Sequence, residues 1–322
     1  MMISRRLLGT ALASAVVSPA LAQQPGWPNR PLTIVIGFPP GGSGDTIARA
    51  IGTGMARSLG QPVVVLNKPG AGSIIAAEFV IRSTDNHTVL LHPTGIHSLR
   101  PLTMQLGFDP WVDLPMISSI ANVPTVFVSS ASRPFRTMAD IVAYARANPT
   151  KLNMAMAGNA TLTYLTSELL NRDAGLQATP VPFNGAAPAM NALLSGNVDI
   201  VCLDANVVLN PIRDRQFVGL AVAATERYPF LPDVPTTAQV GYPEVLGANT
   251  YGLMAPASMP VAYRERIRQA LLAALEDPDL RALFANAGLI PKGSTPDEFT
   301  AIARAEVTRF SPLVRSLGLR MQ

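Results

Sequence analysis

The sequence predicts an α/β protein of two packed units, each a mostly parallel sheet flanked by helices. Three observations predict it. From Pro31 onward, apolar β-branched runs alternate with segments of helical period. The apolar runs are continuous rather than alternating, which marks strands buried on both faces by helices. The chain has 322 residues, enough for two cores, and beyond residue 256 it is helical with no strands of its own to cover.

In order, Leu32 to Phe38 reads as a strand, and residues 45–59 as a helix with Ile47, Ile51 and Met55 on one face. Val63 to Leu66 is a strand, 73–82 a helix and Thr88 to Leu91 a strand. Val123 to Ser129 is extended. Thr137 opens a helix, with Asp140 three residues on as in a capping box, and Pro149 stops it. Leu152 to Met156 is a strand. The helix 161–172 carries Leu162, Leu165 and Leu169 on one stripe and ends before Gly175. Thr179 to Phe183 is a strand, and the helix 186–195 ends at Gly196. Strands follow at 198–203, 217–224 and 249–255, then helices at 260–275, 278–287 and 296–316. Thr295, Pro296 and Glu298 supply the cap, first-turn proline and third-position acid of the last helix. The tail helices must pack on a sheet made earlier. The first domain is therefore expected to be discontinuous, 23–122 with 249–322, and the second to span 123–248.

Composition narrows the function. Charged residues are 14% of the chain, against about 25% in an ordinary soluble protein, and apolar residues are 48%. That is the reverse of a disordered chain. A net charge of +4 without a Lys/Arg-rich tract excludes a nucleic-acid binder. Residues 1–22 read as an export signal: Arg5 and Arg6, the apolar stretch Leu7 to Val17, then Ala20-Leu21-Ala22 with cleavage near Ala22. Ser4-Arg5-Arg6-Leu7-Leu8 also resembles a twin-arginine signal. Cys202 is the only cysteine, in a run that reads as a core strand. It allows no internal disulfide, and no cysteine ends the signal to accept a lipid.

Five loops follow predicted strands, where open α/β sheets bind ligands. Phe38-Pro39-Pro40-Gly41-Gly42-Ser43-Gly44-Asp45 opens the first helix and reads either as an anion cradle of backbone amides or as a plain turn capped by Ser43 or Asp45. It lacks the Gly-Lys-Ser/Thr of a phosphate loop and the spacing of a dinucleotide site. The others are Asn67 to Ser73, Ala157 to Thr161, Phe183 to Ala186, and Asp204-Ala205-Asn206. These loops are poor in charge: residues 31–48 hold only Asp45, residues 155–165 none, and residues 181–212 only Asp199 and Asp204. A small anion is thus expected to rest on amides, hydroxyls and helix termini rather than on Arg or Lys. His87, His92 and His97 are spaced by five, not the i, i+4 of a helical metal pair, so neither metal nor cofactor is expected. No serine sits in a nucleophile-type turn, and no catalytic residue is assigned. His97 reads equally as a ligand donor or a loop histidine.

Several segments in one order resemble the Bug family, the periplasmic solute receptors of tripartite tricarboxylate transporters. They include Trp27 to Pro31, Phe38 to Asp45, Asn67-Lys68-Pro69-Gly70-Ala71-Gly72, Val181-Pro182-Phe183, Gly196-Asn197-Val198-Asp199, and Leu231 to Thr236. The resemblance implies a two-lobed periplasmic-binding-protein fold of the Venus-flytrap, type II-like kind. It implies a receptor, not an enzyme, that closes on a small carboxylate (a di- or tricarboxylate, aromatic acid or acidic amino acid) and passes it to membrane subunits. Nothing in the sequence suggests an obligate assembly, so a monomer is expected. Carried over by motif, Phe38, Pro40, Gly41, Gly42, Ser43 and Asp45 would form one side of the site, with Thr94 and His97 nearby. Gly158, Asn159, Ala160, Thr161, Phe183, Gly185 and Asp204 would form the other. Three departures stand out. Ala160 and Tyr164 occupy places where family members often have Gly and His. Asp204 is offset by one from the acid that reads a ligand amino group. A ligand-presenting sensor and an exported hydrolase remain as alternatives; unchanged ligand after binding separates a receptor from the latter.

Overall fold

In a computed structural model, residues 26–319 are described; the export signal and its cleavage site lie outside the described residues. The chain begins with two βα units: β1 (Leu32–Ile36), α1 (Ser43–Leu59), β2 (Val63–Asn67), α2 (Ile74–Ile81) and β3 (Thr88–Pro93). β1 lies between β2 and β3 and runs parallel to both. Short helices α3 (Gly95–Ser98), α4 (Arg100–Thr103) and α5 (Pro110–Asp113) lead into β4 (Met116–Ser130). A second run follows: α6 (Met138–Ala147), β5 (Asn153–Met156), α7 (Leu162–Ala174), β6 (Thr179–Pro182), α8 (Ala186–Leu194), β7 (Ile200–Asp204), α9 (Ala205–Arg213) and β8 (Phe217–Val222). The chain returns through β9 (Ala248–Met254) and closes with α10 (Val261–Glu276), α11 (Pro278–Asn286) and α12 (Pro296–Ser316).

The strands run in the order β2-β1-β3-β9-β4-β7-β5-β6, with β8 on β4. Each half keeps a parallel trio, while β9, β4 and β8 pair antiparallel in the middle. The sheet is thus mixed where a mostly parallel one was expected. The long strand β4 is shared: Met116–Pro124 pair with β9, and from Thr125 on its partners are β7 and β8. Its first half escaped the sequence reading, because Ser118, Ser119 and Asn122 interrupt the apolar run.

Each half-sheet is covered on both faces. In the first, Ile47, Ile51 and Met55 of α1 and Ile267 and Leu271 of α10 pack on one face. Ala76 and Val80 of α2 and Phe299 and Ala303 of α12 pack on the other. In the second, α6 and α7 bury Ile141, Leu165 and Leu169, and α8 and α9 bury Ala189, Leu193 and Val208. The helix α12 runs from one core to the other: Phe310, Leu313 and Val314 at its far end join the core under α6 and α7. Its start carries the expected capping box of Thr295 and Glu298. The free Cys202 is buried in β7, where burial pushes the thiol up to about 12, so it is a small core hydrophobe.

Candidate ligand-binding site

The carboxyl ends of the parallel strands from both halves face one cleft. Its free space measures about 70 Å³, which is roughly five waters or one small organic molecule at ~10–15 Å³ per water. The walls come from the β1–α1 loop, the β3–α3 loop, the β5–α7 loop, the β6–α8 loop and the end of β7.

Four helices of nine residues or more start at this cleft. Gly42 caps α1 with an extended backbone, Thr161 caps α7, Gly185 caps α8 and Asp204 caps α9, and all four line the cleft. Their unpaired amides and dipoles place partial positive charge there. Neither Ser43 nor Asp45 is the cap of α1, as the plain-turn reading had it; both lie inside the helix. The sequence reading has a loop at Asp204-Ala205-Asn206 and no helix after it, because Asn206 and Pro211 hide the period of α9.

Of the residues singled out in sequence, Phe38, Pro40, Gly42, Ser43, Ala160, Thr161, Gly185 and Asp204 line the cleft. Gly158, Asn159 and Phe183 line an adjoining groove that shares Phe38 and Gly185 with it. The rest face elsewhere. Gly41 donates its amide to Asp45 at 3.2 Å, which removes that amide from any cradle. Burial pushes the Asp45 carboxyl up, but hydrogen bonds from Arg49, Gly41 and Asn67 outweigh it and hold the group below its ordinary value. Asp45 therefore braces the loop. Thr94 donates to Glu306 of α12 at 2.7 Å. His97 is buried with Nε2 2.9 Å from the Leu114 carbonyl and its ring edge against Trp111. Burial lowers its pKa to about 4, so the ring is neutral, and it lines neither the cleft nor the groove.

Asp204 lies at the centre of the polar end. It accepts from Ser43 Oγ at 2.7 Å, Asn249 Nδ2 at 2.7 Å and Tyr251 Oη at 2.6 Å. Burial raises its pKa, against those three donors. Ser43 comes from the first half and Asp204 from the second, so the contact spans the cleft.

Besides Asn249 and Tyr251, the cleft holds His92 and Arg100, which the sequence reading did not single out as site residues. His92, from the end of β3, lays its ring on Phe38 with centroids 5.5 Å apart. Its Nδ1 is 2.7 Å from the Pro93 carbonyl and so carries the proton, leaving Nε2 an acceptor without a partner. Burial above all lowers its pKa to about 3, and the nearby Arg100 charge adds to this. Arg100, at the start of α4, lines both the cleft and the groove and is 6% exposed. This corrects the expectation of a site without Arg or Lys. Nothing local in the sequence marks either residue as facing the cleft. Among the described residues, no group of His, Cys, Asp and Glu could hold a metal ion, and no helix is long and apolar enough to cross a membrane.

Comparison with known proteins agrees with this architecture. Residues 47–319 match the model of the tripartite tricarboxylate transporter family receptor. The chain is 29% identical to the protein BugT of Bordetella pertussis, over 98% of each. It superposes on MatC from Rhodopseudomonas palustris with bound malate at a TM-score of 0.84, with 30% identity over 89% of this chain and all of that one. An R. palustris protein solved with adipate superposes at 0.87, with 28% identity over 91% of this chain and 99% of that one. The two-lobed fold, the cleft between the lobes and the family match together make the chain a member of the tripartite tricarboxylate transporter receptors, the Bug family of solute-binding proteins.

Proposed function

We propose that this protein is a periplasmic receptor that closes its two lobes on a small carboxylate and delivers it, chemically unchanged, to membrane subunits of a tripartite transporter. The observation that carries this reading is the convergence of four helix N-termini on one cleft, since such termini favour anions. Two similar receptors, one with malate and one with adipate, support the ligand class. Phe38, Pro40, Gly42, Ser43, Ala160, Thr161, Gly185 and Asp204 are the proposed ligand-facing set, with Gly158, Asn159 and Phe183 at its flank. The proposed lobes are 23–122 with 249–322, and 123–248; β4 changes partners between Pro124 and Thr125, and the far end of α12 reaches over to the second lobe. Export through residues 1–22, cleavage near Ala22 and action as a monomer belong to the same proposal.

Closed-state contacts that the open state lacks are what let a ligand shift the equilibrium between them. A thermal-shift screen over di- and tricarboxylates, aromatic acids and amino acids tests the reading. A bound acid raises Tm and is recovered unaltered. Stabilisation by neutral compounds alone overturns the carboxylate, and conversion of the acid overturns the receptor.

A further inference from the structure

Arg100 is a buried cation without a carboxylate partner. None of the ion pairs among the described residues includes it. The one hydrogen bond of its guanidinium among those residues runs from Nη1 to the carbonyl of Asn159 at 2.9 Å, across the cleft from the first half to the β5–α7 loop. Gly72 leaves the space the guanidinium occupies, since a Cβ there would stand 2.5 Å from Nη2. Burial lowers its pKa to about 10, so the group is still charged at neutral pH. Buried charges are ordinarily paired, because an unpaired one forfeits its hydration without recompense. A guanidinium has five donors in a planar fork that matches a carboxylate, and one carbonyl uses one of them.

The surroundings supply no anion to complete it. Asp204, the one acid lining the cleft, has three donors of its own in Ser43, Asn249 and Tyr251. Neutral His92 adds an unpartnered acceptor in the same wall. Much of the remaining wall is apolar, with Leu99, Leu162, Leu203 and Val207. With the lobes shut on the cleft, Arg100 keeps 6% of its surface exposed, so few waters reach a charge that has no anion beside it. An ionised ligand removes that penalty only when the lobes are shut.

We propose that Arg100 is the specificity-determining residue of this cleft: its desolvated guanidinium, placed between the lobes, takes an ionised carboxylate directly and makes closure depend on an anion. This rests on the receptor reading above. It goes beyond an anion held by amides and helix termini, because it predicts that an acid is chosen over the amide of the same shape.

Calorimetric titration tests it, with benzoate, adipate and L-malate each set beside its amide. Wild type is expected to bind at least one acid roughly 10- to 100-fold more tightly than its amide, the worth of a charge-assisted hydrogen bond. Arg100→Gln is expected to lose most of that preference while affinity for the amide is held, and Arg100→Lys to keep part of it. Melting curves of the unliganded variants monitor folding. If Arg100→Gln keeps the wild-type preference, or if both variants weaken acid and amide alike, Arg100 only ties the lobes together and the proposal falls. If wild type binds none of these acids and no other acid in the screen raises its Tm, the carboxylate reading itself falls and takes this one with it.

Discussion

Ser43 Oγ and Asp204 Oδ2 stand 2.7 Å apart, although 161 residues separate them. One is in the first turn of α1 and the other ends β7, so the two half-sheets touch through this pair. Asn249 and Tyr251 of β9 close on the same carboxylate. The arrangement makes Asp204 a tie between the lobes, with little acceptor capacity left for a ligand.

A receptor whose aspartate is already satisfied gains nothing from a ligand amino group. L-aspartate is therefore expected to bind no more tightly than succinate, within about tenfold, or about 1.4 kcal/mol. Parallel titrations of the two acids measure it. A strong preference for aspartate would show that Asp204 leaves its protein donors and reads the ammonium group.

Ala160 has φ of +50° and lines the cleft. That left-handed conformation suits glycine, and a Cβ there carries a steric cost. Replacing alanine by glycine within regular structure usually costs about 0.5–1 kcal/mol. At this position Ala160→Gly is expected to avoid that loss and to leave stability equal or higher. Urea denaturation decides it; a drop of about 1 kcal/mol would mean the neighbouring contacts of the methyl outweigh the backbone strain.

Gly72 has φ of +61° and abuts Arg100. Gly72→Ala is expected to destabilise the protein by more than about 1 kcal/mol, because the new side chain is strained at that φ. It also displaces the guanidinium. Its effect on acid affinity is expected to vanish in an Arg100→Gln background, since contacting residues couple. A double-mutant cycle measures the coupling, and additive effects would place the harm of the alanine in the loop alone.

Local signals carried the fold, and contacts distant in sequence decided the site. The capping box at Thr295 and Glu298 and the Gly196 stop of α8 were legible because each motif is complete within a few residues. The glycine-rich turn was legible as a helix start, but not that Asp45 would fold back onto Gly41. Arg100 follows Ser98 and Leu99 in a stretch with no cleft signature. Its burial comes from Gly72 on one side and Asn159 on the other, 28 and 59 residues away. His97 and Thr94 stand outside the cleft lining for the same reason: α12, some two hundred residues on, and Leu114 supply their partners.

That contact with α12 has a pH signature. The Glu306 carboxyl is inserted between Thr94 Oγ1 at 2.7 Å and Ser98 Oγ at 2.6 Å, while its stem is partly exposed. Burial raises its pKa to about 7, against the two hydroxyls and the Arg309 charge, which lower it. An unfolded chain returns the group to its ordinary 4.5. Between these values the native state holds a proton that the unfolded state has lost. The stability this contributes is fully present below pH 4.5 and is lost as pH rises toward 7, with no further loss above. The slope is about 1.4 kcal/mol per pH unit at its steepest. Glu306→Gln cannot titrate, so its stability relative to wild type is expected to rise from pH 5 to pH 7 and then level off. Denaturant unfolding of both proteins at pH 5, 6, 7 and 8 gives the difference directly, cancelling every other titrating group the two share. A difference that is flat from pH 5 to 7 would mean that the carboxyl stays hydrated in the native protein and that α12 carries no buried acid against α3.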